Sequence, residues 1–80
     1  MEFYFVYALR SLKKEFIYIG YTDNLQRRLN EHNNGFVQST KAYAPLKIAA
    51  YVAVATEEKA REEVFQNGIR KSNSQKTNLD

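Results

Sequence analysis

Eighty residues with no cysteine make a single domain near the lower size at which packing alone can hold a fold, and they exclude a disulfide framework or a thiolate zinc site. An apolar fraction of 44% and a charged fraction of 26% exclude a disordered chain, and the longest mostly apolar run, residues 48–55, is too short to cross a bilayer. The net charge of +3 lies wholly in residues 1–55, with seven Lys/Arg against four Asp/Glu, because residues 56–80 carry five of each. That asymmetry suits a polyanion, and solvated lysines explain it equally well.

The chain opens on Phe3 to Leu9, bulky at both alternating sets of positions, which predicts a central strand buried on both faces. The acidic Glu2 and the early Arg10 make this start unlike a signal peptide, so a cytoplasmic, reducing setting is expected. A short turn over Ser11 to Lys14 leads to a second strand, Phe16 to Tyr21. With Arg10 opposite Glu15, Leu9 faces Phe16 and Tyr7 faces Tyr18, so two phenols share one face of the hairpin. A slip of one residue would send them to opposite faces.

The hydrophobic period then changes to that of a helix, with Leu25, Leu29 and His32 three and four apart. Asp23 followed by Gln26 has capping-box spacing, which predicts a helix over Asp23 to Asn33 that stops at Asn34-Gly35. Arg28 and His32 stand one turn apart on this helix, offering a permanent cation beside a titratable imidazole. Phe36 to Pro45 reads as a loop containing Lys41, a candidate phosphate contact, although a solvated lysine is the commoner meaning of such a residue. Leu46 to Val54 is a third strand. Thr56 is a plausible N-cap for a second helix over residues 57–67, with Glu57 and Glu58 in its first turn and Gly68 as its stop. The expected architecture is α+β: a small three-stranded antiparallel sheet flanked by helices, one domain over residues 1–70, then a polar disordered tail over 71–80.

Several pieces of this chain carry a resemblance. Phe5-Val6-Tyr7, Tyr18-Ile19-Gly20-Tyr21-Thr22, Asn24-Leu25, Arg27-Arg28-Leu29 and Glu31-His32-Asn33-Asn34-Gly35 resemble the GIY-YIG nuclease family. The likeness is greatest to its short single-domain members, similar to the N-terminal domain of excision-repair nucleases. Ser39-Thr40-Lys41 and Pro45 also stand where relatives have Ser-Thr-Lys and a proline. The resemblance implies metal-dependent hydrolysis of phosphodiester bonds in DNA, with Mg²⁺ or Mn²⁺ as cofactor and DNA as partner. It implies no small-molecule cofactor and no membrane, and it is compatible with structure-selective cleavage in repair or recombination.

Carried over by position, the resemblance assigns Tyr7 and Tyr18 to the scissile phosphate, Arg28 to its charge, His32 to the site wall and a glutamate near residue 63 to the metal. Arg27, Lys41 and Gly20 join as phosphate or DNA contacts, with Gly20 letting the backbone pass close to the helix start. These residue types suit the chemistry. A fixed guanidinium offsets charge on the non-bridging oxygens, and a phenolate favoured by nearby cations can take a proton from water, Tyr7 being the first choice of base. A hard cation that keeps its waters needs as little as one carboxylate. Counting from Ala60 puts Val64 at the glutamate position, whereas counting back from Phe65 and Gly68 selects Glu63 or Glu62. The basic pair that many relatives carry before the proline is replaced by Ala42-Tyr43-Ala44. These departures keep open a second function, a DNA-binding or partner-binding module that has lost its metal.

Overall fold

The computed structural model describes residues 2–75, as backbone only from residue 67. Its elements are β1 (Tyr4–Ser11), β2 (Ile17–Thr22), α1 (Leu25–Asn33), a 3₁₀ turn (Lys41–Tyr43), β3 (Leu46–Val54) and α2 (Glu57–Gln75). The strands form one antiparallel sheet in the order β2-β1-β3, so the doubly bulky strand is the central one, as expected. No described helix is long and apolar enough to cross a membrane.

The hairpin register differs from expectation by two residues. Tyr7 faces Gly20, and Leu9 faces Tyr18. The turn moves because Ser11 and Phe16 close it: the Ser11 amide donates to the Phe16 carbonyl at 3.1 Å, leaving residues 12–15 as the loop. The Ser11 hydroxyl accepts from the Lys13 and Lys14 amides, both at 3.1 Å, and donates to the Tyr43 carbonyl at 2.7 Å. One serine therefore shapes the turn and ties it to the loop that precedes β3. A two-residue shift preserves side-chain parity, so Tyr7 and Tyr18 still share a face, now diagonally.

Helix α1 starts one residue later than the expected capping box. Asn24 is the N-cap, its side chain accepting from the Arg27 amide at 3.1 Å. The shift has a local cause, since the Thr22 hydroxyl accepts from the Asn24 amide at 3.2 Å and Asn24 stays extended. Asp23 is left outside the helix and pairs with Arg27 at 2.9 Å, while Gln26 reaches Asn30 instead of turning back. The stop is where expected. Phe36 donates to Glu31 at 2.9 Å and Gly35 to His32 at 3.2 Å, the two crossed bonds of a Schellman ending, with Gly35 at φ 79°.

The two faces of the sheet are built differently. Tyr7, Leu9, Phe16 and Leu46 form a buried cluster against Leu25 and Leu29 of α1, with Tyr18, Tyr43 and Ile48 packed around it. Phe16 and Tyr43 stack with centroids 3.7 Å apart. Asn33 clamps the start of β3 to the end of α1, taking the Leu46 amide at 2.6 Å and donating to its carbonyl at 2.9 Å. Side chains alternate along a strand, so Val6 and Tyr21 point the other way. That face is covered by α2, whose first turn meets Tyr21 through Glu57 at 3.1 Å and whose Ala60 is fully buried. The Thr56 cap is as expected, its hydroxyl accepting from the Lys59 amide at 3.1 Å. Gly68 does not end α2, which continues to Gln75. In the middle of a helix, glycine lowers stability by about 1 kcal/mol relative to alanine, which does not by itself enforce a stop. Of the tail expected over 71–80, residues 71–75 belong to this helix and 76–80 lie outside the described residues.

Candidate active site

The site assembles around Tyr7, which β1 projects onto the α1 face at 3% exposure. The 3.6-residue period of α1 turns Arg28 and His32 towards the sheet together with Leu25 and Leu29. His32 is fully buried, and its two ring nitrogens are both engaged: Nε2 lies 3.0 Å from the Tyr7 hydroxyl and Nδ1 lies 2.7 Å from the Thr40 hydroxyl. Tyr18 stands against the same imidazole, edge to face, with centroids 5.1 Å apart, and its ring lies 6.3 Å from that of Tyr7. Two phenols, an imidazole and a guanidinium thus share one place on one face of the sheet.

Gly20 is what lets the phenols approach. A Cβ at this position would lie 2.7 Å from the Tyr7 hydroxyl oxygen and 2.8 Å from Cε2 of Tyr18. Real Cβ atoms do not come that close to their neighbours, so the glycine is required by the rings above it. Its expected role in admitting the backbone near the helix start gives way to this one.

Burial governs the electrostatics. It pushes the Tyr7 hydroxyl up to about 12, against the lowering influence of hydrogen bonding from Arg28, while Tyr18 and Glu31 add to the rise. The expectation that nearby cations would favour a phenolate is therefore corrected: at 3% exposure the loss of solvation outweighs one guanidinium. Burial also lowers His32 to about 4, helped by Arg28 and opposed by Glu31, so the imidazole is neutral at pH 7. Arg28 is held charged, mainly by its 2.8 Å bond to Glu31 and also by Tyr7. A third of the Arg28 side chain remains exposed.

The other expected residues sit further out. Arg27 is exposed and bound to Asp23 at 2.9 Å and to Glu31 at 3.6 Å, in the solvated pairing typical of a helix surface. Lys41 is exposed at the start of the 3₁₀ turn, beside the Thr40 that meets His32. Glu63 is half-buried and Glu62 exposed, both on α2 and thus on the helix that covers the other face of the sheet. Among the described residues no group of three or more His, Cys, Asp or Glu converges on a point. Glu63 or Glu62 alone could hold Mg²⁺ or Mn²⁺ only as a largely hydrated ion whose shell is completed by water and substrate oxygens.

Sequence reasoning missed Thr40, Asn33 and Glu31. Thr40 lies within Ser39-Thr40-Lys41, where Lys41 carries the visible charge, and burial of a neighbouring hydroxyl has no signature in one sequence. Glu31 was legible in principle, since an acid three residues after Arg28 lies within reach on a helix.

The chain matches the family model for the GIY-YIG catalytic domain over residues 3–78. It belongs to that family of nuclease domains, and the three-stranded antiparallel sheet with its two helices is consistent with the family's fold. Comparisons with curated proteins and with solved structures returned no match.

Proposed function

We propose that this protein is an endonuclease that hydrolyses phosphodiester bonds in DNA with the help of a divalent cation. The observation that carries the reading is the convergence of Tyr7, Tyr18, Arg28 and His32 on one side of the sheet, joined by hydrogen bonds and ring contacts rather than by sequence proximity.

Arg28 meets the scissile phosphate. Its guanidinium is preset by Glu31 and Tyr7, so little reorganisation is needed when charge builds on the non-bridging oxygens. Tyr18, half-buried, lies nearer solvent than Tyr7 and orients the attacking water. Tyr7 acts as base without being a standing phenolate. Its oxygen takes a proton from water as its own proton passes to Nε2 of His32 across 3.0 Å, which leaves a neutral phenol, an imidazolium and a hydroxide equivalent attacking phosphorus. An anionic phosphate nearby favours that imidazolium, which burial alone disfavours. Glu63, or Glu62, would hold Mg²⁺ or Mn²⁺, which would supply Lewis-acid stabilisation to phosphate oxygens of a strand that reaches α2 as well as Arg28. Arg27 and Lys41 add exposed positive charge for the flanking DNA backbone.

The test is incubation with flapped, branched and plain duplex DNA in Mg²⁺ or Mn²⁺. Metal-dependent nicking that disappears in Arg28→Ala and in Glu63→Gln supports the nuclease. Salt-sensitive binding without nicking replaces it with a DNA-binding module, and absence of binding at low salt removes DNA as the partner.

A further inference from the structure

The hydrogen bonds around His32 decide which of its nitrogens carries the proton. Thr40 is fully buried, and its hydroxyl has a single hydrogen. The Val37 carbonyl, at 3.5 Å, is an acceptor at long reach for that hydrogen, and with the hydroxyl turned to it the Thr40 oxygen accepts from Nδ1 of His32 at 2.7 Å. A neutral imidazole has only one N–H, so with Nδ1 protonated Nε2 is an acceptor and takes the Tyr7 hydroxyl hydrogen at 3.0 Å. Arg28, which only donates, then finds a lone pair of the Tyr7 oxygen. The Tyr7 hydroxyl, the His32 ring N–H and the Thr40 hydroxyl then each have an acceptor.

The geometry points to Thr40 as a positioning residue that holds His32 in the Nδ1–H tautomer, so that Tyr7 turns its hydrogen inward and presents its oxygen as an acceptor to Arg28 and to the reacting water. In the other tautomer Nε2–H would donate to Tyr7, and the phenol would present a hydrogen instead of a lone pair. The catalytic consequence rests on the nuclease reading, whereas the tautomer itself does not. The groups that bear on the imidazole are Tyr7 from β1, Tyr18 from β2, Arg28 and Glu31 from α1, and Thr40 from the loop before the 3₁₀ turn.

His32 is the single histidine of the chain, so its two nitrogens can be read without assignment ambiguity. A long-range ¹H–¹⁵N spectrum of the full-length, ¹⁵N-labelled protein at pH 7 should show Nδ1 protonated and Nε2 bare, unchanged in Thr40→Ser and lost to a mixture or to Nε2–H in Thr40→Val. A wild-type spectrum with Nε2 protonated overturns the proposal, as does a folded Thr40→Val variant that keeps the wild-type tautomer. If Thr40→Val fails to fold, the wild-type and Thr40→Ser spectra still decide. Should the expected tautomer be found while no form of the protein nicks DNA, the role of Thr40 stands and the nuclease reading falls.

Discussion

The α1 face and the α2 face of the same three-stranded sheet are held in different ways. On the α1 face, buried aromatics lie against a fully buried imidazole, and the polar groups between them are bonded to one another: Tyr7 to His32, His32 to Thr40, Asn33 to Leu46. On the α2 face the buried residues include Val6 and Ala60, and the polar contacts include an exposed bond from Tyr21 to Glu57, beside an exposed pairing of Arg61 with Glu57 at 3.8 Å. Both faces carry tyrosine, acid and arginine. What separates them is desolvation: where water is excluded, each polar group must be satisfied within the protein, and its equilibrium shifts as a result. The same residue types in water remain ordinary surface groups.

Substitutions on the two faces should therefore differ in size. The largest effect is expected for Arg28→Ala, which removes a preset cation and should lower nicking by about 10²–10³-fold, read from initial rates on flapped DNA. A loss of less than tenfold would place Arg28 among the surface arginines. Next comes acid. His32 is depressed from 6.5 to about 4, so the unfolded chain binds the extra proton first, and its contribution of about 3 kcal/mol is complete above pH 6.5 and lost as pH falls towards 4. Denaturant titrations across that window should show stability rising with pH, and His32→Gln should flatten the rise.

Smaller effects follow from packing. Gly20→Ala forces a methyl group into the space of two phenols and should lower stability by about 1–3 kcal/mol, visible as a lower denaturation midpoint with an unchanged slope. Asn33→Ala leaves the Leu46 amide and carbonyl without their partners and should lose about 1–3 kcal/mol by the same measure. Tyr21→Phe, on the other face, removes a comparable hydroxyl from an exposed setting and should change stability by no more than about 0.5 kcal/mol. A loss from Tyr21→Phe equal to that from Asn33→Ala would erase the distinction between the faces.

Much of the site was legible because short-range rules placed it. Alternation along the hairpin put Tyr7 and Tyr18 on one face even though the expected register was off by two, since an even slip leaves parity intact. Helical spacing put Arg28 and His32 together, and Asn34-Gly35 marked the helix end. The cap was misplaced by one residue because the Thr22 hydroxyl, acting on the Asn24 amide, competed with the box that Asp23 and Gln26 could have formed. The direction of the Tyr7 shift is not legible in the sequence, which shows the cation beside it and not the depth of its burial.

The sequence by itself determined the order of the elements, the central strand, the helix carrying Arg28 and His32, and the family, because periodicity, turn chemistry and motif spacing all act over a few residues. Only the tertiary structure decided that Thr40, eight residues beyond His32, closes the imidazole's second hydrogen bond, that Gly20 lies beneath two rings, and that α2 covers the face opposite them. Those contacts form between segments whose meeting is set by packing the whole sheet, where burial fixes both distance and protonation.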